Sequence, residues 1–111
     1  QLGLVPEYLA HLHQQGVFFR AIHLGNLIYN GDTLCLIDIA DVHIRQTPLS
    51  ILQRARNVAH LINSDLDKAR FTSYGVNRFV TEYLDTQHFN SVQRWLFYAR
   101  LNWSLDVDMR S

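Results

Sequence analysis

The stretch that decides the fold is FRAIHLGNLIYNGDTLCLID, which runs from Phe19 to Asp38. It contains two strand-like apolar runs, Leu27–Tyr29 and one that begins at Thr33 and continues to Ile39, with the residues NGD between them. Asn-Gly accepts a positive φ at both central positions of a tight turn, which is the backbone that a two-residue hairpin requires. The sequence therefore predicts a small β-hairpin here.

Helical patterns lie on both sides of this hairpin. Before it, apolar residues at helical spacing predict a helix over Pro6–Gln15, with a proline in the first turn and Gly16 just past the end. Val17–Phe19 then forms a short β-rich run. After Asp41 the pattern is helical only, and we predict three or so helices there.

Two of these helices have specific start signals. Ser50 with Gln53, and Asn90 with Gln93, each fit a capping box, in which two side chains satisfy free backbone N–H groups reciprocally. The fold class predicted from this order of elements is α+β: a mainly helical domain with one small β-hairpin. The hairpin is expected to pack on the helices, because a two-stranded hairpin is not stable alone.

The candidate core lies mostly in the C-terminal half. Val76–Leu84 carries the cleanest apolar helical face, and Trp95 and Trp103 follow at helical spacing, so we interpret all of them as core. Cys35 is the only cysteine, which excludes an intrachain disulfide and a cysteine-based zinc site. We predict that it is a small buried residue of a cytoplasmic protein.

Composition and charge exclude several classes of function. The chain has 111 residues, of which 48% are hydrophobic and 18% charged, as in an ordinary globular domain. Ten basic and ten acidic residues cancel, so no overall field attracts nucleic acid. No apolar run approaches the roughly 20 residues of a transmembrane helix. We therefore expect neither a nucleic-acid partner nor a transmembrane segment.

Two polar residues flank the predicted hairpin, and both have chemistry suited to a metal. Asn26 comes directly before the first strand and Asp38 lies at the end of the second, twelve residues later. Pairing of the strands brings both residues to one end of the hairpin. An amide oxygen and a carboxylate are hard ligands of the kind that Mg²⁺ prefers. Each residue also has a simpler interpretation, Asp38 as a turn cap and Asn26 as a loop-stabilising residue.

With these residues in place, the chain resembles the C-terminal lobe of the protein-kinase-like fold. More narrowly, it is similar to the bacterial lipopolysaccharide core kinases, the Kdo and heptose kinase family, with its "toluene tolerance" relatives. The resemblance covers about residues 8 to 63. It rests on Leu12-His13 through Gly16-Val17, Phe19-Arg20, His23 to Asn26, Leu36 to Asp38, Arg45, Pro48 to Ser50, and Arg54 to Asn57.

This resemblance implies roles for individual residues. Arg20 matches the arginine of the kinase catalytic loop, and Asn26 matches the metal-binding asparagine. Asp38, followed by Ile39 and Ala40, matches the aspartate that holds Mg²⁺ across the phosphates of ATP. His23 occupies a position from which kinases reach toward the transferred phosphate. The implied cofactors are Mg²⁺ and ATP.

One position departs from the family pattern. The catalytic base belongs five residues before Asn26, and that residue is Ala21, whose methyl group cannot accept a proton. General-base assistance is worth about 10² to 10⁴ in rate, so the resemblance implies a degenerate or very slow kinase. His23 or Asp41 as a relocated base is the remaining route to an active enzyme.

The chain also lacks the features of an ATP-binding lobe. It has no glycine-rich loop, and Lys68, its only lysine, follows the candidate site instead of preceding it. We therefore expect residues 1–111 to form one kinase-like C-terminal lobe, a fragment whose ATP lobe would precede Gln1.

Arginines follow the candidate site and suggest an anionic substrate. Arg45, Arg54 and Arg56 could grip a phosphorylated core sugar or lipid, because guanidinium binds phosphate bidentately. The simpler interpretation is a solvated helix face with one ion pair to Asp41.

The alternative function is a non-catalytic, pseudokinase-like binding module whose partner is an envelope-assembly protein. Either function is expected in the cytoplasm or at the periphery of the inner membrane.

Overall fold

The structure, a computed structural model, describes residues 2–39 and 41–106. Within them the chain is α+β, as predicted, with five α-helices and four short strands. In chain order these are α1 (Val5–Gln14), β1 (Val17–Phe19), β2 (Leu27–Asn30), β3 (Thr33–Leu36), β4 (Val42–Ile44), α2 (Ile51–Asn63), α3 (Lys68–Tyr74), α4 (Val76–Asp85) and α5 (Ser91–Ser104).

The predicted hairpin is present as the antiparallel pair β2–β3, with Leu27 opposite Leu36 and Asn30 opposite Thr33. Its turn lies one residue later than the Asn-Gly pattern predicts. Gly31 and Asp32 are the two central residues, and of these only Gly31 has a positive φ, at 67°. A positive φ at the first central position alone is the backbone of a type II′ turn, which matches the twist of the flanking strands.

A second antiparallel pair joins β1 to β4, with Val17 opposite Ile44 and Phe19 opposite Val42. The prediction that only helices follow Asp41 is therefore wrong at β4. Three residues are too few to give a clear alternating pattern, and the strand exists because β1, remote in sequence, supplies its hydrogen bonds.

The helical start signals are confirmed. The Ser50 and Asn90 side chains accept from the N–H groups of Gln53 and Gln93, whose side chains bond back to the caps. Four helices follow the sheets. Gly75, with φ at 107°, separates α3 from α4. The core lies where α2 packs on α5 and α1 packs on α4. Its fully buried side chains include Val58, Leu61, Ile62, Phe71, Phe79, Val80, Tyr83, Leu84, Phe97 and Leu101.

Three core predictions are wrong. Trp95 and Trp103 are 67% and 87% exposed, because α5 buries Phe97 and Leu101 instead. Cys35 is exposed as well, since its side chain lies on the outer face of the hairpin. No helix in the described part of the chain combines the length and apolar character needed to cross a bilayer.

Candidate functional site

The loop between β1 and β2, Arg20 to Asn26, is held at both ends by side chains from the helical part. At its start, Asn57 clamps the main chain of Phe19: its Oδ1 accepts from the Phe19 N–H at 3.1 Å, and its Nδ2 donates to the Phe19 carbonyl at 2.6 Å. Near its end, the buried Asp67 carboxylate accepts from the Leu24 N–H at 2.7 Å. The loop geometry is thus fixed by the core.

His23 and Asn26 form a capping box within this loop. The His23 Nδ1 accepts from the Gly25 N–H at 3.1 Å, and the Asn26 Oδ1 accepts from the His23 N–H at 3.0 Å. Because Nδ1 acts as an acceptor, the ring proton of a neutral His23 belongs on Nε2. The position of His23 is therefore explained by local structure, and only its Nε2 is free for a second partner.

At the end of the hairpin, the side chain of Asn26 contacts the main chain of the Ile37–Asp38 segment. The Asn26 Nδ2 donates to the carbonyls of Ile37 and Asp38 at 3.1 and 3.3 Å, and the Ile37 N–H donates to the Asn26 carbonyl at 2.9 Å. Asn26 is 5% exposed, whereas Asp38 is exposed. These hydrogen bonds join the β1–β2 loop directly to the segment that carries the Asp38 carboxylate.

The backbone is strained on either side of Ala40, which lies outside the described residues. Asp38 has a φ of 52° and Asp41 a φ of 59°. A positive φ in a residue other than glycine costs of order 1 kcal/mol and concentrates at ligand-binding and catalytic segments. The Asp41 carbonyl accepts from the Arg20 N–H at 3.2 Å, so this strained segment is tied to the loop.

Ala21, at the position where the resemblance places a catalytic base, is exposed. Asp41, one of the two residues considered as a relocated base, is paired with His43, with 3.9 Å between His43 Nε2 and Asp41 Oδ1. His23, the other, uses Nδ1 within the loop.

The three arginines assigned to substrate binding occupy different environments. Arg54 is 3% exposed: its Nε donates to the Leu49 carbonyl at 3.0 Å, and its terminal nitrogens donate to Gln87 and Gln14. It is therefore neither on a solvated face nor placed to reach a substrate. The helical spacing put it off the apolar stripe, but α1 and the turn after α4 cover that side.

Arg45 and Arg56 are both exposed. The Arg56 guanidinium lies 5.9 Å from the centre of the Phe18 ring. Neither arginine forms an ion pair within the described residues, so the predicted pair with Asp41 is not found there.

Arg56 also lines an open pocket beside the loop, about 400 Å³ in volume. The other lining residues are Phe18, Phe19, Arg20 and His60. Two guanidinium groups and an imidazole face this space together with aromatic carbon, and none of the lining residues is acidic. Such a pocket suits an anionic group attached to a ring, because the arginines match a phosphate and the aromatic face packs on the ring.

Sequence reasoning missed the buried histidine that supports the loop. His13 is fully buried, with its Nδ1 2.6 Å from the Tyr83 hydroxyl and its Nε2 3.0 Å from the Asn57 Oδ1. Asn57 Oδ1 can only accept, so Nε2 carries the proton and Nδ1 accepts from Tyr83. Burial lowers the pKa of His13 to about 3 and raises the pKa of Tyr83. His11, two residues earlier on the same helix, is exposed.

Within residues 2–39 and 41–106, no group of three or more histidine, cysteine, aspartate or glutamate side chains is placed to hold a metal ion. A site built on Asn26 and Asp38 would have two protein ligands. Mg²⁺ commonly has few protein ligands and completes its shell with water and substrate phosphate.

Comparison with protein-family models, with curated proteins and with solved structures finds no match to this chain.

Proposed function

We propose that this chain is a kinase-like C-terminal lobe, similar to those of lipopolysaccharide core sugar kinases, and that it is degenerate in catalysis. Its ancestral reaction would transfer the γ-phosphoryl group of ATP to a sugar hydroxyl. The observation that carries the proposal is the junction of Asn26 with the Ile37–Asp38 segment, where one amide side chain bonds two successive carbonyls.

We infer a magnesium site of low protein ligand number from the chemistry of its candidate donors, an amide oxygen and a carboxylate. The Asn26 Oδ1 accepts one hydrogen bond from within the loop and retains a second lone pair. Asp38 adds an exposed carboxylate on a constrained backbone. These two groups would hold Mg²⁺, which, when bound, neutralises charge on the phosphates of ATP.

The degenerate character follows from Ala21. Its methyl group leaves the substrate hydroxyl without a general base, whereas positioning and charge neutralisation by other residues remain. The pocket lined by Arg20, Arg56 and His60 supports an anionic substrate group, such as the phosphate of a phosphorylated sugar.

A second candidate function is a non-catalytic binding module that contacts an envelope-assembly protein in the cytoplasm or at the inner membrane. Two features favour this binding module: Ala21, and the hydrogen bond that His23 Nδ1 accepts within its own loop. Both remove catalytic capacity while leaving the fold intact. The two functions differ in one measurable property, which is nucleotide binding that depends on a divalent cation.

Calorimetric titration of Mg-ATP into the full-length protein tests the first proposal. We expect binding that requires Mg²⁺ and that Asp38→Asn weakens at least about tenfold, since it removes a ligand charge. Asp32→Asn is the matched control, because Asp32 is an exposed carboxylate in the turn at the other end of the same hairpin. No binding at all, or equal binding by both variants, would refute the magnesium site.

Ala21→Asp tests the assignment of the base position. With a phosphorylated sugar as acceptor, we expect the variant to raise phosphoryl transfer by about 10² or more, because it restores a carboxylate at the substrate hydroxyl. Transfer that is unchanged by Ala21→Asp but lost in Asp41→Asn would instead show a relocated base.

A further inference from the structure

Helix α5 is apolar on two opposite faces. Its inner face buries Phe97 and Leu101 completely against the rest of the chain. Its outer face carries a second set of apolar side chains exposed to solvent, and we call this set the outer stripe. Its members are Val92, Trp95, Leu96, Ala99 and Trp103, of which Val92 and Trp95 are each 67% exposed and Trp103 is 87% exposed.

The outer stripe is continuous and uncharged. At 100° per residue its five side chains fall within about 120° of the helix circumference, and they span roughly 16 Å along the axis. Neither arginine of α5 belongs to the stripe. Arg94 is half-buried and pairs with Asp85 at 3.5 Å, and Arg100 is half-buried and donates to Ser104.

We propose that the outer stripe is an interface between two copies of this chain, with their α5 helices packed antiparallel about a two-fold axis at Ala99. The two tryptophans are symmetric about that point. Trp95 lies four residues before Ala99 and Trp103 four residues after it, so a two-fold axis there places each tryptophan opposite the other. The small side chain at the centre lets the two helices approach closely.

The area exposed by the stripe is sufficient for a modest dimer. A tryptophan buries about 150–250 Å² when covered. At the observed exposures the two tryptophans, with Val92 and Leu96, supply on the order of 500 Å² per copy when fully covered. The total of about 1,000 Å² lies below the range of stable interfaces and within that of weak, transient ones. We therefore expect a reversible dimer.

A second copy fits this stripe better than a lipid surface does. Helices that lie on anionic membranes carry a strongly basic polar face beside the apolar one. Here the outward side of α5 has no charge, and the formal net charge of the whole chain is zero. An uncharged stripe packs against its own copy without repulsion between like charges.

Sedimentation velocity and tryptophan fluorescence together test the dimer. The chain has only two tryptophans and both lie in the outer stripe, so intrinsic emission reports on this face alone. Between about 1 μM and about 1 mM we expect the mass to rise from that of a monomer toward twice 13.0 kDa, with emission shifting to shorter wavelength over the same range.

Ala99→Arg should raise the concentration for half-dimerisation at least about tenfold, because it places two like charges at the two-fold axis. Arginine is a good helix former and Ala99 is exposed, so the monomer should fold normally. Leu66→Ser is the control, since Leu66 is 80% exposed but lies outside α5.

Three outcomes would overturn the proposal. The first is a wild-type protein that stays monomeric throughout the range. The second is an Ala99→Arg variant that dimerises like the wild type. The third is an emission shift produced by anionic lipid vesicles and not by protein concentration, which would assign the stripe to a membrane. None of these measurements involves nucleotide, so they are independent of the magnesium site.

Discussion

His13 shows how a single side chain can join four parts of this molecule. It lies on α1, bonds Tyr83 on α4 and Asn57 on α2, and through Asn57 reaches the main chain of Phe19. Every polar atom of this network is satisfied, and no buried side-chain nitrogen or oxygen among the described residues lacks a partner. Because Phe19 directly precedes Arg20, the network holds the start of the candidate loop.

The low pKa of His13 predicts a loss of stability in mild acid. Its pKa is about 3 in the folded chain, because of burial and the nearby Arg54, and about 6.5 when unfolded. Above about pH 7.5 the residue is neutral in both states and contributes no pH dependence. As the pH falls from about 6.5 toward 3, only the unfolded state binds the proton, so the free energy of unfolding falls by up to about 1.4 kcal/mol per pH unit.

Urea denaturation between about pH 7.5 and pH 4.5 measures this slope. His13→Gln should lose this part of the pH dependence, because the variant lacks the buried imidazole. Equal pH dependence of the free energy of unfolding in the wild type and in His13→Gln would contradict the assignment of this dependence to His13.

At the scale of the elements, two glycines with positive φ predict different costs for the same substitution. Gly31, in the hairpin turn, has a φ of 67° and open space around the site of a Cβ. Gly16, between α1 and β1, has a φ of 87°, and a Cβ there would collide with the carbonyl oxygens of Arg45 and Thr47. Gly31 is required only because its backbone has a positive φ. Gly16 is required also because the chain after β4 packs closely against it.

We therefore expect Gly31→Ala to cost about 1 kcal/mol, the strain of a left-handed backbone. Gly16→Ala should cost about 3 kcal/mol, because the collision involves rigid backbone atoms. Chemical denaturation of both variants gives the difference. Similar costs would mean that the segment containing Arg45 and Thr47 moves freely away from Gly16.

Local signals predicted the elements well, and tertiary contacts account for the errors. The capping boxes at Ser50 and Asn90 and the hairpin around Gly31 depend on neighbouring residues, so the sequence alone identifies them. β4 depends on hydrogen bonds from β1, about 25 residues earlier, and no local pattern encodes that partner.

The features of the candidate site also separate into those set by neighbouring residues and those set by distant contacts. The proximity of Asn26 and Asp38 follows from hairpin pairing and was predictable. The burial of Arg54 depends on Gln14 and Gln87, which come from distant parts of the chain, and could not be read from the spacing within α2. Trp103 was misplaced because helical periodicity identifies an apolar face but not what covers it.

At the scale of the whole molecule, the candidate site lies at the boundary between a rigid and a loosely held part. α2 is rigid: Ala55, Val58 and Leu61 are fully inaccessible. The β2–β3 hairpin forms no ladder with another strand of the described residues, and it packs against the core through the partly buried Leu27, Leu34 and Leu36. Amide hydrogen exchange is slowest where opening requires global unfolding and fast where a segment opens alone.

This contrast gives a final prediction. Amides of β2 and β3 should exchange at least about a hundredfold faster than those of α2, because the hairpin packs on the core only through partly buried side chains, whereas α2 is fully buried on its inner face. If Mg-ATP binds at Asn26 and Asp38, it should slow exchange of the Ile37 amide, whose N–H bonds the Asn26 carbonyl. The α2 amides would then change little. Exchange measured by NMR with and without Mg-ATP, and repeated in Asp38→Asn, shows whether the slower exchange at Ile37 requires the Asp38 carboxylate. Hairpin amides that exchange as slowly as those of α2 would contradict this prediction and would place the hairpin in the rigid core. The residues around Asn26 and Asp38 would then be structured before the cation binds.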